Sequence, residues 1–362
     1  MTINTPLSTE FSMVKKCLYC LIQVPRIHLS HPINVLCATH TINSRSNQPQ
    51  TSRKKFSVLL LERGLFLDRW HFLIQTWAAS YFPKQPIGLV NYSASNEYQN
   101  HSFSGLFGLA QLNISRLWYF DQEYPVLTTA IYENKLQRPM VGLSLPRWGD
   151  SSRQVGKLTL GGIESSVPVK SIHYVDTINV TNYNYDGQPL TRQFWNANIT
   201  SLRFNGQEIP LFGSLQEGLA IGLLDTGASD IMCRPASLDV IVAAVNGTKH
   251  SNGHDIFIEC DKPQVMEFQI GDNWYPINPI DLITPGVTAD YNGTTFCRAS
   301  IGSWSRTAGD CIIGLPFFRN VYTVLDYVHS DFQPQPRVGL MSVTNLEQAL
   351  KEFPSKWQTR MI

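Results

Sequence analysis

Short hydrophobic runs separated by Gly, Pro and Asn follow one another along most of this 362-residue chain. Such runs, with turn-forming residues at their ends, are typical of β-strands that contribute to a buried core. The stretches with this pattern are FSGLFGLAQ (103–111), MVGLSLP (140–146), GKLTLGGIES (156–165), LAIGLLDTG (219–227), CIIGLPFFRNVYTVLDY (311–327) and RVGLMSV (337–343). The pattern therefore predicts an all-β fold.

Residues 194–211 alternate as the two strands of a hairpin do, with Asn205 and Gly206 at the turn. Asn-Gly is the dipeptide that two-residue hairpin turns favour. The apolar stretch 57–82 fits a helix or a strand equally well, and the polar stretch 41–56 is predicted to be a loop or linker.

Two helices are predicted among the strands. Residues 124–137 form the first, with Pro125 near its start. Residues 234–247 form the second, which Pro235 is expected to start and Gly247 to end.

Composition and charge narrow the function classes. With 43% hydrophobic residues, the chain can bury a core large enough for two lobes. The net charge is +1, which gives no reason to expect a nucleic-acid partner. Residues 1–100 carry ten Lys/Arg against four Asp/Glu, and the remainder carries nineteen against twenty-four. These charges are scattered, so we interpret them as a solvated surface. No hydrophobic run reaches the length of a transmembrane segment.

Seven Asn-x-Ser/Thr sequons indicate a secreted or vacuolar glycoprotein of the secretory pathway. A segment from Met13 resembles the start of a signal peptide, but its apolar part is short and has no clear cleavage site. The glycosylation candidates are Asn91, Asn100, Asn113, Asn179, Asn198, Asn246 and Asn292.

Seven cysteines and nine histidines give little support for a metal site. Cys17-x-x-Cys20 followed by Cys37-x-x-His40 has a spacing known from zinc sites. The surrounding residues are apolar, without the Gly and polar residues usual in zinc knuckles, so we predict neither a metal nor another cofactor. The absence of a Gly-x-Ser-x-Gly motif argues against a serine hydrolase.

The stretch GLLDTGASDIM (222–232) contains the strongest candidate for chemistry. Gly227 permits a tight turn, so Asp225 can project from a strand end and accept backbone hydrogen bonds, with Thr226 anchoring the turn. Two such turns facing each other would hold two carboxyl groups that share one proton. One carboxyl would then act as a base toward water and the other as an acid toward a carbonyl.

The order of segments from 104 to 343 resembles the pepsin family of aspartic proteases, especially its fungal members. The matching segments are SGLFGLA, YPVLTTAIYENKLQRPMVGLSLPR, GKLTLGGIESS (with Glu164 where the family has Asp), FWNANITSLRFNGQEI, GLLDTGASDIMCRP, DCIIGLPFFRNVYTVLDY and RVGLMSV. This resemblance covers about two-thirds of the chain and implies a bilobal fold with a complete second lobe.

The resemblance also implies roles for individual residues. Asp225 would be catalytic, and the residues that support its loop would be Thr226, Gly227, Ala228 and Ser229. Ala228 replaces a Ser or Thr found in many members, and loss of that hydroxyl should raise the carboxyl pKa modestly. Cys260 and Cys297 match the family's second-lobe disulfide. Cys233 and Cys311 could form a second bridge or remain two buried thiols.

Each lobe of the family pairs an Asp-Thr-Gly with a later hydrophobic-hydrophobic-Gly strand. In the second lobe Ile312-Ile313-Gly314 follows Asp225, and in the first lobe Leu106-Phe107-Gly108 should lie on a related strand near the lobe junction. The same span counted back from Gly108 reaches Tyr19, and residues 1–100 contain neither Asp-Thr-Gly nor Asp-Ser-Gly. A lone Asp225 is therefore expected to be an ordinary ionised carboxylate at neutral pH.

These features predict residues 1–100 as a divergent or truncated first-lobe region, 101–345 as the inter-lobe segment and second lobe, and 346–362 as a tail. The function that the resemblance implies is an aspartic-type endopeptidase, a monomer acting on polypeptide substrates. The alternative is a catalytically dead pepsin-like binding or inhibitor protein. A third interpretation is that residues 1–100 come from an incorrect gene prediction, and the sequence does not choose among the three.

Overall fold

A computed structural model of the chain describes residues 21–25, 51–60, 72–76, 80–90, 103–147, 156–183, 189–192, 194–213, 215–303, 309–327 and 335–360. β-Strands are the predominant regular structure of these residues, as predicted. The strands are β1 Leu21–Pro25, β2 Thr51–Leu60, β3 Phe72–Thr76, β4 Ser80–Val90, β5 Phe103–Gly108, β6 Met140–Ser144, β7 Gly156–Leu160, β8 His173–Asp176, β9 Val180–Tyr183, β10 Pro189–Arg192, β11 Asn196–Phe204, β12 Gln207–Ile209, β13 Ile221–Leu224, β14 Ile231–Cys233, β15 Thr248–Lys249, β16 Asp255–Glu259, β17 Met266–Ile270, β18 Asn273–Ile277, β19 Ile283–Tyr291, β20 Thr294–Ser303, β21 Cys311–Ile313, β22 Val321–Asp326 and β23 Arg337–Ser342.

The α-helices of the described residues are few and short, except for the last. They are α1 Arg116–Asp121, α2 Val126–Tyr132, α3 Pro235–Ala244, α4 Leu315–Phe318 and α5 Leu346–Arg360. Short 3₁₀ helices cover Leu112–Ile114, Val169–Ser171 and Pro279–Leu282. In the part of the chain that the structure describes, no helix is long and apolar enough to cross a membrane.

Two sheets organise the chain. An 11-stranded sheet has the order β15-β16-β20-β14-β21-β13-β11-β17-β18, with β12 paired to β11 and β19 paired to β20. A 6-stranded sheet has the order β3-β7-β6-β22-β23-β8. In the second sheet, β22 and β23 from the end of the chain pair with strands from its first half, so the two halves share a sheet.

A continuous hydrophobic core links the sheets to the helices. Trp195 and Tyr327 meet edge to face at 4.9 Å between ring centroids. Both rings also donate to the carbonyl oxygen of Leu109, from Trp195 Nε1 at 2.8 Å and from Tyr327 Oη at 2.5 Å. Edge-to-face pairs and satisfied polar ring atoms both favour burial of such large side chains. The residue after β5 is thereby fixed to the second half of the chain.

Residues 346–362, predicted only as a tail, contain helix α5. Its residues Ala349 and Phe353 are buried, and Arg360 donates from Nε to the carbonyl oxygen of Ile283 at 3.2 Å. Thr344, which precedes the helix, hydrogen-bonds Asn320. The end of the chain is therefore part of the core.

Several other predicted elements need correction. Leu315–Phe318 is a helical turn rather than strand, because Pro316 at the start of α4 provides no N–H for a ladder. Helix α3 ends at Ala244, and Asn246, with φ 49°, takes the left-handed conformation expected of Gly247. Residues 51–56, predicted to be loop, belong to β2, and the ambiguous stretch 57–82 contributes to strands β2, β3 and β4.

Candidate active site

Asp225 lies directly after β13, where three strands meet. β21 pairs with β13 in parallel through Gly222↔Cys311, and with β14 in antiparallel through Cys233↔Cys311. The chain therefore leaves β13, turns through residues 225–230 and returns as β14 on the other side of β21. A turn between two strands that flank a third is held on both sides by ladder hydrogen bonds.

Backbone hydrogen bonds fix the start of this turn. Asp225 N donates to Ile313 O at 3.0 Å, and Ala228 N donates to Asp225 O at 3.1 Å. Gly227 N donates to the Asp225 carboxylate oxygen Oδ1 at 2.8 Å. Leu315 N donates to Ala228 O at 2.8 Å. The carboxyl group is thus aimed by the backbone of its own turn and of β21.

Gly314 permits the close approach of the turn to the end of β21. A Cβ atom at this position would lie 2.4 Å from Ala228 O and 2.3 Å from Asp230 O, and both are backbone atoms. Any side chain would push the turn away from β21. The Gly of the Ile-Ile-Gly motif therefore has a physical role in holding Asp225.

Burial changes the protonation of Asp225. The residue is 3% exposed, and loss of water around the carboxyl raises its pKa to about 8, against a smaller lowering by the Gly227 N–H. The expectation of an ordinary ionised carboxylate at neutral pH is wrong. Removal of a carboxylate from water disfavours its charged form, so Asp225 keeps its proton through acid and neutral pH.

A small apolar cluster connects the Asp225 turn to the segment after β5. It contains Leu223, Ala228 and Ile312 from the motif strands, packed with Ile114 and Phe194. The methyl group of Ala228 packs in this cluster, at the position where a Ser or Thr would place a hydroxyl group. Ala110, the last residue of the SGLFGLA segment, also packs against this cluster, so that segment lies next to the strands that hold the Asp225 turn.

Three polar side chains near Ile114 or Leu223 along the chain or across the sheet have buried atoms without a hydrogen-bond partner among the described residues. They are Gln111 through Nε2, Asn113 through Oδ1 and Asn196 through both amide atoms. Asn196 is paired with Leu223 across β11 and β13, which places its side chain on the face of the cluster. Sequence patterns marked Asn113 only as a sequon and did not single out Gln111 or Asn196, because burial of an isolated Asn or Gln has no local signal.

The remaining predicted site residues lie around the turn or elsewhere. Thr226 is buried and Ser229 is exposed at the outer end of the turn. The cysteines form two disulfides, Cys260–Cys297 and Cys233–Cys311, separated by 37 and 78 residues along the chain. The second bridge joins β14 to β21 at the ends of these strands that lie away from the Asp225 turn.

The sequons differ in accessibility. Asn179, Asn246 and Asn292 are exposed, whereas Asn113 and Asn198 are half-buried. Asn91 and Asn100 lie outside the described residues, and so do the four residues with zinc-like spacing, Cys17, Cys20, Cys37 and His40. Within the described ranges, no group of three His, Cys, Asp or Glu side chains is placed to hold a metal ion.

The two hydrophobic-hydrophobic-Gly segments differ in their described strand pairings. β5, which contains Leu106-Phe107-Gly108, pairs antiparallel with β1, whereas β21 lies between a parallel and an antiparallel neighbour. The residues paired with β5, Leu21–Pro25, carry no acidic side chain. Among the described residues, β5 is therefore not seen with the parallel and antiparallel pair of neighbours that β21 has.

Comparisons with known proteins agree with this architecture. The family model described as "Eukaryotic aspartyl protease" matches residues 79–333. Chymosin of Bos taurus is 25% identical over 248 residues, which cover 67% of this chain and 56% of chymosin. A probable aspartic-type endopeptidase of Aspergillus fumigatus is 27% identical over 251 residues, 67% of this chain and 55% of that protein. The chain thus spans about half the length of the relatives it matches. It belongs to the eukaryotic aspartyl protease family.

Proposed function

We propose that this chain supplies one half of an aspartic-type endopeptidase site, with Asp225 as the catalytic acid and polypeptides as substrates. The supporting observation is the buried Asp225 at the start of its turn, where burial raises the carboxyl pKa to about 8. A carboxyl group that stays protonated below neutral pH can donate a proton during amide hydrolysis. Thr226, Gly227, Ala228 and Ser229 form the turn that holds it.

The reaction divides between an acid and a base. A base removes a proton from water, the water oxygen attacks the peptide carbonyl carbon, and Asp225 donates its proton to the carbonyl oxygen. The C–N bond of the resulting diol then breaks as the protonated base gives its proton to the amine nitrogen, and Asp225 takes a proton back from a diol hydroxyl, which leaves a carboxylic acid and an amine. The base must be a second, ionised carboxyl group close to Asp225. Among the described residues, no charged group contributes to the pKa shift of Asp225, whose causes are burial and Gly227 N–H.

The missing base determines the activity expected of the chain alone. Residues 1–100 contain no second Asp-Thr-Gly, and the described partner of β5, Leu21–Pro25, is antiparallel and contains no acidic residue. We therefore propose 101–345 as the unit that carries the competent half-site and 1–100 as a divergent or truncated first-lobe region. Asn179, Asn246 and Asn292, all exposed, together with the two disulfides, support a place in the secretory pathway. We also propose that the chain is a monomer.

A cleavage assay tests this proposal. The purified chain and Asp225→Asn are incubated with an unfolded protein substrate from about pH 3 to about pH 6. We expect little or no cleavage by either protein. Robust cleavage that pepstatin inhibits and Asp225→Asn abolishes would contradict the proposed lack of a base in this chain. Binding of the peptide substrate without cleavage, even after a first lobe with its own Asp-Thr-Gly is added, would support the alternative of a pepsin-like binding protein.

A further inference from the structure

Arg298 on β20 connects three elements around the far end of the Asp225 turn. Its guanidinium donates from Nη2 to Asp230 Oδ2, from Nε to Asp255 Oδ1 and from Nη1 to Thr284 Oγ1, each at 2.8 Å. The Arg298 side chain is 14% exposed, and those of Asp230 and Asp255 are 15% and 27% exposed. A planar guanidinium with several satisfied donors is a rigid connection, unlike a flexible surface pair.

Asp230 is the residue at which the turn ends and β14 begins. Its carbonyl oxygen lies over Gly314, and its carboxylate is bound by Arg298. At the other end of the turn, Asp225 N is bound to Ile313 O. The six residues 225–230 are therefore held by β21 at the start and by Arg298 at the end.

Two other basic side chains, Arg319 and His250, lie near the carboxylates that Arg298 binds. Arg319 lies near Asp230, and the charge of Asp230 acts to raise the Arg319 pKa against its lowering by burial. His250 lies near Asp255. Burial acts to raise the pKa of Asp255, but the hydrogen bond and charge of Arg298 outweigh it and hold that pKa below its usual range. The link from Arg298 to Asp255 is therefore retained in moderately acidic solution.

We infer that Arg298 is a positioning residue for Asp225: through Asp230 it keeps the turn closed against β21 and the Asp225 carboxyl out of water. This inference rests on the proposed function of Asp225 but is tested without an activity assay. Loosening of the turn admits water, and hydration of a buried carboxyl lowers its pKa. Simple removal of a positive charge, which leaves Asp230 and Asp255 unpaired, would raise the Asp225 pKa instead. The two effects differ in sign.

The experiment measures the Asp225 carboxyl pKa by ¹³C NMR in the full chain labelled at Asp carboxyl carbons, with Asp225→Asn to assign the signal. In the wild type we expect a pKa of about 8. In Arg298→Ala we expect it to fall by about one unit or more. Arg298→Lys, which keeps a charge and loses the planar fork, should give a smaller fall.

The matched control is Arg203→Ala, on β11 of the same sheet. Arg203 stacks on Trp274 and pairs with Glu208, so its loss should leave the Asp225 pKa unchanged. If Arg298→Ala does not fold, Arg298→Gln, which also removes the positive charge but keeps more of the side-chain volume, replaces it and should likewise lower the pKa. An unchanged or raised Asp225 pKa in the folded variant would overturn the inference. A lowered pKa together with failure of the reconstituted site to cleave would overturn the proposed function alone.

Discussion

Substitution of Asp225 by Asn should stabilise the protein, and increasingly so as the pH rises. Asn keeps an oxygen that can accept from Gly227 N but has no proton to release. The wild-type carboxyl has a raised pKa in the folded protein, so it binds its proton more tightly there than in the unfolded chain. Its contribution to stability is fully present below the ordinary pKa of 3.8 and is lost as the pH rises toward about 8.

The size of the effect follows from the pKa difference. Each unit of difference corresponds to about 1.4 kcal/mol of unfolding free energy. Between the ordinary pKa of 3.8 and neutral pH there are about three such units, so Asp225→Asn should be more stable than the wild type by about 4 kcal/mol at neutral pH. Near the ordinary pKa the two proteins should differ little.

Urea unfolding of both proteins at a series of pH values measures this difference. The matched control is Asp239→Asn, because that exposed carboxylate on α3 is in contact with water in both the folded and unfolded chain. We expect no comparable rise for the control. A stability difference at Asp225 that stays constant with pH, or that favours the wild type at neutral pH, would refute the buried, protonated state of Asp225.

Three further predictions concern stability and modification. Replacing either disulfide pair by Ser should lower the unfolding free energy by about 4 kcal/mol in the chain-entropy account, because the bridges close loops of 37 and 78 residues. Urea unfolding measures this loss, and an unchanged unfolding free energy would contradict a structural role of the bridge. Phe353→Ala should lower the free energy of unfolding by about 3–5 kcal/mol, because this α5 side chain is 1% exposed. Lys351→Ala, on the exposed face of α5, should change it little. Equal effects of the two substitutions on thermal stability would show that α5 is not part of the core. Glycopeptide mass spectrometry of secreted protein should find glycans on exposed Asn246 and Asn292 and none on Asn113, and full occupancy of Asn113 would contradict its packing.

Much of the second half of the chain could be predicted from local patterns. The Asn205-Gly206 turn has φ values of 49° and 81°, as the dipeptide indicated, and the strands on both sides pair in register. Asp225 and Ile312-Ile313-Gly314 come together on neighbouring strands because each half of this motif has its own hydrophobic and Gly pattern. These features depend on residues that are close along the chain or on a motif of fixed composition.

Other features depend on contacts between distant segments and have no local pattern. The raised pKa of Asp225 comes from burial by surrounding elements, so the Asp-Thr-Gly triplet alone suggested an ionised group. Arg298 is separated from Asp230 by 68 residues, and nothing in the sequence marks the two as partners. The α5 tail was missed because Pro354 in its interior and its polar composition resemble a loop.

The most direct measurement is reconstitution of the second carboxyl. In a chimera, residues 1–100 are replaced by a first lobe that carries its own Asp-Thr-Gly, and cleavage of an unfolded protein is followed from about pH 3 to about pH 6. Matched chimeras carry Asn in place of Asp225 or of the introduced Asp. If the half-site is sound, the chimera cleaves the substrate, pepstatin inhibits it, and either Asn substitution abolishes the activity. A folded chimera that does not cleave, or one that cleaves equally well with Asn at position 225, would contradict the role of Asp225 as the catalytic acid.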